Sequence, residues 1–208
     1  MATINNTETS VFSNLLKKTA ANNSLPARMR EARDWVAKNT NAAMRSPSAV
    51  IKKAPSGQAV SSPKQSIIGS MVLFQYNATT AKDLPYWDKF PLVFPFELTS
   101  DGMYGINMHY LPPLLRARLM DSLMTIADSN TIDAKTKLNL SYATLQSAAR
   151  NRYFVPCVKR YLNSGLASRM VTIPATEWNL ALFLPLERFQ KASAERVYRD
   201  SQRKIRGH

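Results

Sequence analysis

Two apolar runs meet at an Asp-Gly pair in FPLVFPFELTSDGMYGINMHY, residues 90–110, and that pattern calls for a β-hairpin. Ser100, Asp101 and Gly102 supply the turn, residues 90–99 the incoming strand and 103–111 the returning one. Pro91 and Pro95 have no N–H to give to a ladder, so the incoming strand is expected at an edge or with a bulge. Upstream, SMVLFQYNA (70–78) alternates Met71, Leu73 and Gln75 with Val72, Phe74 and Tyr76, which suits a strand covered on both faces. The polar loop TTAKDLPYWDK joins the two, ending in an aromatic anchor. Strand, long loop, strand, tight turn, strand is the order of small SH3-like barrels. The expected fold is therefore α+β: a small SH3-like antiparallel β-barrel or sheet packed with C-terminal helices, preceded by an extended basic N-terminal arm.

The flanks differ from this centre in charge. Residues 1–69 carry 10 Lys/Arg against 3 Asp/Glu, residues 70–140 carry 6 against 7, and residues 141–208 carry 12 against 4, for a formal net charge of +14. A neutral folded centre between two cationic ends attracts polyanions or acidic protein faces by long-range steering. Two domains follow: a basic arm with short helices over 1–69, and an α+β core with a basic C-terminal helix over 70–208.

Within the arm, VFSNLLKK (11–18) and PARMREARDWVAK (26–38) have the apolar spacing of short amphipathic helices. Residues 39–69 shift to Ser, Ala, Pro and Lys without periodicity, as in a linker, and contain Lys52 and Lys53. After the hairpin, Pro112 and Pro113 open a helix over PPLLRARLMDSLMTIADS, and Asp133 caps a second over DAKTKLNLSYATLQSAARNRYF. CVKRYLNSG, stopped by Gly165, reads as a third. Residues 169–174 read as a short strand, NLALFLPL (179–186) as another that could rejoin the sheet, and LERFQKASAERVYRDSQRKIRGH as a last helix whose end projects from the body.

Catalytic and metal-binding constellations are missing. Two histidines, one cysteine and no carboxylate cluster leave no metal-ligand spacing, and neither a Walker loop nor a GxGxxG turn occurs. His109 is expected to be a structural histidine near Asp101, Asp121 or Asp128, and Asp83, Asp88, Glu97 and Asp101 to be solvated loop acids. Cys157, among apolar neighbours, reads as a buried thiol in a reducing compartment. No apolar run reaches a membrane span and no signal peptide opens the chain, so synthesis in a cytoplasm is expected.

What remains is basic. Arg196, Arg199, Arg203, Lys204 and Arg206 recur at three- and four-residue intervals, so a continuing helix would present them as a stripe along a phosphate backbone. Arg150, Arg152, Lys159 and Arg160 surround Tyr153 and Tyr161, a mix able to contact phosphate and stack bases, although both tyrosines suit a core. These residues, with Lys52 and Lys53, are the candidate contacts for nucleic acid or an acidic partner; no cofactor, small molecule or membrane is implied.

The blocks YWDKFPLVFPF (86–96), GMYGINMHYLPPLLRARLMDSL (102–123), AARNRYFVPCVKRYLNS (148–164), SRMVTIPATEWNLALFLPLERFQKAS (168–193) and VYRDSQRKIRG (197–207) together resemble the DNA end protector proteins of T4-like myophages. The likeness spans about Ile68 to Gly207; residues 1–67 carry none of it. The resemblance implies a non-enzymatic virion structural protein, made in the host cytoplasm, that caps the terminus of packaged DNA during head completion and head-tail joining. Its partners would be a double-stranded DNA end and virion proteins of the portal or neck. Two alternatives use the same residues differently. A tail or baseplate component would set the basic ends against acidic protein neighbours, and a nuclease-type completion enzyme would need a metal constellation that the chain lacks.

Overall fold

The computed structural model describes residues 46–54, 59–111, 116, 143–151, 154–173, 175 and 178–207. The expected helices at 11–18 and 26–38, and nearly all of the helical reading over 112–142, lie outside these residues.

Inside the stretch read as a linker, Ser46 caps helix α1 (Pro47–Lys53) by accepting the Ala49 N–H, Pro47 sits in its first turn, and Ile51 is buried. Next comes β1 (Ala59–Val60), followed by β2 (Met71–Leu73), β3 (Trp87–Asp88), β4 (Leu92–Thr99) and β5 (Gly102–Asn107). Residues 143–150 form α2; then follow β6 (Val158–Leu162), β7 (Met170–Ile173), α3 (Trp178–Phe183), β8 (Phe189–Gln190) and α4 (Ala194–Arg206).

Six strands make one sheet in the order β1-β7-β2-β4-β5-β6, every neighbouring pair antiparallel. It is an open sheet among the described residues. Of the two expected arrangements, barrel or sheet, the sheet is the one found, and the barrel is corrected. Closure needs strand tilt and a staggered register around a full circuit. Here β1 and β6 stand at opposite ends of the order instead.

The hairpin forms as its sequence dictates, with Thr99 opposite Gly102 and Ser100-Asp101 at the tip. Gly102 is obligatory for a packing reason, since a Cβ there would lie 1.9 Å from the Tyr161 carbonyl oxygen of β6. β4 holds its proline by bulging: the register shifts between Pro95 and Glu97. It is nevertheless central, paired to β2 and β5, so the edge alternative for this strand is corrected.

Both faces of the sheet are covered, as the alternation in 71–76 implies. Met71, Leu73, Leu92, Phe94, Ile106 and Val171 pack with α3 and Val197 of α4 on one side. Val72, Phe74, Tyr76, Val93, Met103 and Tyr161 form the other cluster, where Tyr161 meets Phe74 and Tyr76 edge-on at 5.2 and 5.1 Å.

Two elements reverse their expected type. CVKRYLNSG is not a helix but strand β6, drawn into register with β5, so that Met103 faces Tyr161 and Gly105 faces Lys159. NLALFLPL is not a strand but lies largely in α3, whose Trp178 donates to the Ile173 carbonyl at 2.9 Å and packs edge-on against Phe94. Short apolar runs carry too few residues for periodicity to separate helix from strand. The open edge of β5 decided the first case. In the second, Leu and Ala favour a helix once no free ladder is offered. The last helix starts later than expected because Phe189 and Gln190 pair with β3 first.

Candidate nucleic-acid interface

Helix α4 is built to persist to its end. Ser193 accepts the Arg196 N–H, Glu195 lies in the positive first turn, and Gly207 closes the helix in the left-handed conformation with its N–H on the Arg203 and Lys204 carbonyls. Val197 and Ser201 are buried against the body. Arg196, Arg199, Arg203 and Arg206 follow at three, four and three residues and are all exposed, forming a cationic stripe along the outer face. Arg196 also lies 4.0 Å from Asp200. Lys204 is three residues beyond Ser201 and lies on the inward margin of the helix, lining a cavity.

That cavity, about 490 Å³ in volume, lies between β3 with its preceding loop, the edge strand β6 and α4. Tyr76, Tyr86, Trp87, Tyr110 and Tyr161 contribute its rings, and Lys159, Arg160 and Lys204 its cations. The Lys159 ammonium sits 4.2 Å from the centre of the Tyr110 ring. Burial pulls its pKa down to about 8, and the charge of Lys204 pulls in the same direction. Arg160 is held differently. Its guanidinium bonds both carboxylate oxygens of Asp101 at the hairpin tip, at 2.6 and 2.9 Å, with both side chains about half exposed.

Of the remaining expected contacts, Lys52 is exposed on α1. Arg150, exposed at the end of α2, lines a separate cavity with Glu97 and Tyr104. The Lys53 side chain and Arg152 lie outside the described residues, as does Tyr153, whereas Tyr161 is in the core. The structure thus brings Lys159, Arg160 and Lys204 to one cavity and leaves the four arginines of α4 on a neighbouring surface.

Beneath the cavity runs a buried polar network that was not legible in the sequence. Asp88, read there as a solvated acid, is buried through the β3–β8 pairing, and its carboxylate meets His109 Nδ1 at 2.6 Å. Its oxygens also accept from the N–H groups of Phe90 and Arg188 and from the Asn107 amide. Burial pushes this carboxyl up, but the His109 ring and the two N–H donors outweigh it, so it titrates below its ordinary value. Asn107 donates on to the Tyr161 hydroxyl, and its own carbonyl receives the His109 N–H. Arg116 donates to the carbonyls of Leu111 and His109 and to the Tyr198 hydroxyl, which in turn bonds Glu187. His109 is structural, as expected, but its side-chain partner among the described residues is Asp88, 21 residues away, and not Asp101, which pairs with Arg160; Asp121 and Asp128 lie outside the described residues. Asp83, Glu97 and Asp101 are exposed. Cys157 is fully buried, with its thiol pushed up to about 12 by burial. Among the described residues no group of His, Cys, Asp and Glu could hold a metal ion, and no helix is long and apolar enough to cross a membrane.

The family described as phage T4 terminal DNA protecting protein matches the chain over residues 3–203. The chain belongs to that family. The match includes nearly all of residues 1–67, where the resemblance read from the sequence had found nothing, so the basic N-terminal region is part of the family pattern. No curated protein and no solved structure matches the chain. For a family of DNA-terminus protectors, the informative features are the arginine stripe of α4 and the cavity beside it.

Proposed function

We propose that this protein caps the terminus of packaged DNA in the virion, as a non-enzymatic structural component acting during head completion and the joining of head to tail. Family membership supports the DNA terminus as its target. The observation that carries the reading is the stripe Arg196, Arg199, Arg203 and Arg206, exposed on a helix capped at both ends. A preformed row of guanidinium groups meets phosphates at little cost in ordering, and each phosphate neutralised releases counterions. The neutral centre keeps this attraction at the basic flanks. The protein is made in the host cytoplasm and joins portal or neck proteins in the finished particle.

The test compares a linear blunt duplex with the same duplex closed by hairpins at both ends, by fluorescence anisotropy across a salt series. The open duplex should bind more tightly and resist exonuclease digestion. Replacing Arg199, Arg203 and Arg206 by Ala should flatten the dependence of log affinity on log salt by roughly 0.9 for each phosphate that is no longer neutralised. Equal binding of open and closed duplexes removes the capping function. Recovery of the protein from baseplates and not from heads replaces it with a tail component that binds acidic neighbours.

A further inference from the structure

The cavity between β3, β6 and α4 has the chemistry of a nucleotide site. Its volume of about 490 Å³ falls within the range of about 300–1,000 Å³ typical of small-ligand pockets. Tyr86 and Trp87, both part-exposed, form an aromatic wall, and behind it the buried Tyr110, its ring centre 6.0 Å from that of Tyr86, carries Lys159 on its face. The indole N–H of Trp87 is buried and has no acceptor among the described residues. Bases stack on such rings without regard to sequence.

The charges at the cavity are unbalanced. Lys159 and Lys204 line the same cavity, and burial, with the Lys204 charge adding to it, favours loss of the Lys159 proton. Asp88 is the one carboxylate among the described lining residues, and His109, Asn107 and two backbone N–H groups already occupy its oxygens. Asp101 is committed to Arg160 outside the cavity. Among the described lining residues the two ammonium groups therefore have no free carboxylate; Asp200, beside Tyr86 and one turn before Lys204, is shared with the Tyr86 hydroxyl and Arg196.

Resting on the DNA-terminus reading above, we propose that this cavity holds the unstacked terminal nucleotide of the DNA, its base on the Tyr86–Trp87 wall and its terminal phosphate between Lys159 and Lys204. Two lysines suit a terminal phosphomonoester, which carries about −1.5 to −2 charge at neutral pH, better than an internal diester of single charge. An internal base would have to be flipped from between two stacked neighbours, at a cost that is smaller for a terminal base, which is stacked on one side only. The cavity thereby distinguishes an end from the middle of a duplex, whereas the arginine stripe contacts any phosphate backbone.

The test uses the full chain and the dinucleotides pdTdT, dTdTp and dTdT, titrated calorimetrically at low salt. One of the two phosphorylated forms should bind saturably, at least tenfold tighter than dTdT, and which one it is gives the polarity of the end. Lys204→Glu, at an exposed position, and Lys159→Met should each weaken that binding at least tenfold, while Lys64→Ala, remote from the cavity, leaves it unchanged. If Lys159→Met fails to fold, Lys204→Glu decides alone. Phosphorylated and bare dinucleotides binding alike, or Lys204→Glu binding as the parent does, overturns the pocket. A preference for open over hairpin-closed duplexes that survives that result leaves the DNA-terminus reading standing without it. Lysine-dependent dinucleotide binding with no preference for open duplexes overturns both.

Discussion

Asp88 and His109 come from separate turns of the chain, yet their side chains meet at 2.6 Å with neither reaching solvent. The pair joins the small β3–β8 ribbon to the end of the central hairpin, directly under the aromatic wall of the cavity. The floor of the candidate site is thus a buried hydrogen-bonded joint.

Asp88→Asn should therefore destabilise the fold by about 2 kcal/mol at pH 7, because an amide NH2 in place of one carboxylate oxygen leaves a buried donor without an acceptor. The pH dependence has a definite sign. The folded Asp88 carboxyl titrates below its unfolded value, so its stabilisation is complete above about pH 4 and is lost as pH falls through the lower folded value. Urea denaturation from pH 7 to pH 2 should show the parent losing stability in that acid range and the variant losing less.

Lys159 runs the other way. Its folded pKa of about 8 lies below the unfolded value, so the charged form burdens the native state at neutral pH and the burden lifts as pH rises through 8. Lys159→Met should raise stability at pH 7 by about 1 kcal/mol after allowance for solvent screening, while abolishing dinucleotide binding. In the parent, binding of the phosphorylated dinucleotide should weaken between pH 7 and pH 9. The groups facing Lys159 are Lys204 from α4, the Cys157 thiol and the Tyr110 ring, and neither Cys157 nor Tyr110 ionises in that range.

The two glycines at Gly102 and Gly207 make a contrasting pair. A Cβ at Gly102 meets backbone of β6, which cannot swing aside, so Gly102→Ala should cost about 3 kcal/mol and detach β6, loosening Lys159 with it. Gly207 has φ of 82° and open space around it, so Gly207→Ala should cost only about 1 kcal/mol, all of it backbone strain. Thermal melts of the two variants test the difference.

Lys191 combines a strained backbone with a clamp. Its φ is 64°, and its ammonium donates to the carbonyls of Ala81 and Leu84 at 2.6 and 3.2 Å, pinning the loop that leads into the cavity wall. Lys191→Ala and Lys191→Gly both release the loop, so hydrogen exchange at residues 79–85 should rise in each. The glycine variant should nevertheless be the more stable of the two by about 1 kcal/mol, since it removes the strain as well.

Local chemistry was enough to determine the hairpin at Asp101-Gly102, the two-faced burial of residues 71–76, an irregularity or edge position at the prolines of residues 90–99, the buried Cys157 and the arginine spacing of α4. Each depends on neighbours within a few residues: a turn residue, an alternation, a missing N–H, a helical repeat. The polarity of the ends was equally plain from counting charge.

Tertiary structure alone decided the rest. CVKRYLNSG became β6 because β5 offered it a free ladder edge, and that choice carries Lys159 to the Tyr110 ring. Asp88 became a buried hydrogen-bond partner of His109 because Phe189, 101 residues later, pairs across from it. Lys204 parted from the arginines because the buried Ser201 sets which side of α4 faces inward. Strand partners and burial are properties of contacts between distant segments, and no window of sequence contains both members of such a contact.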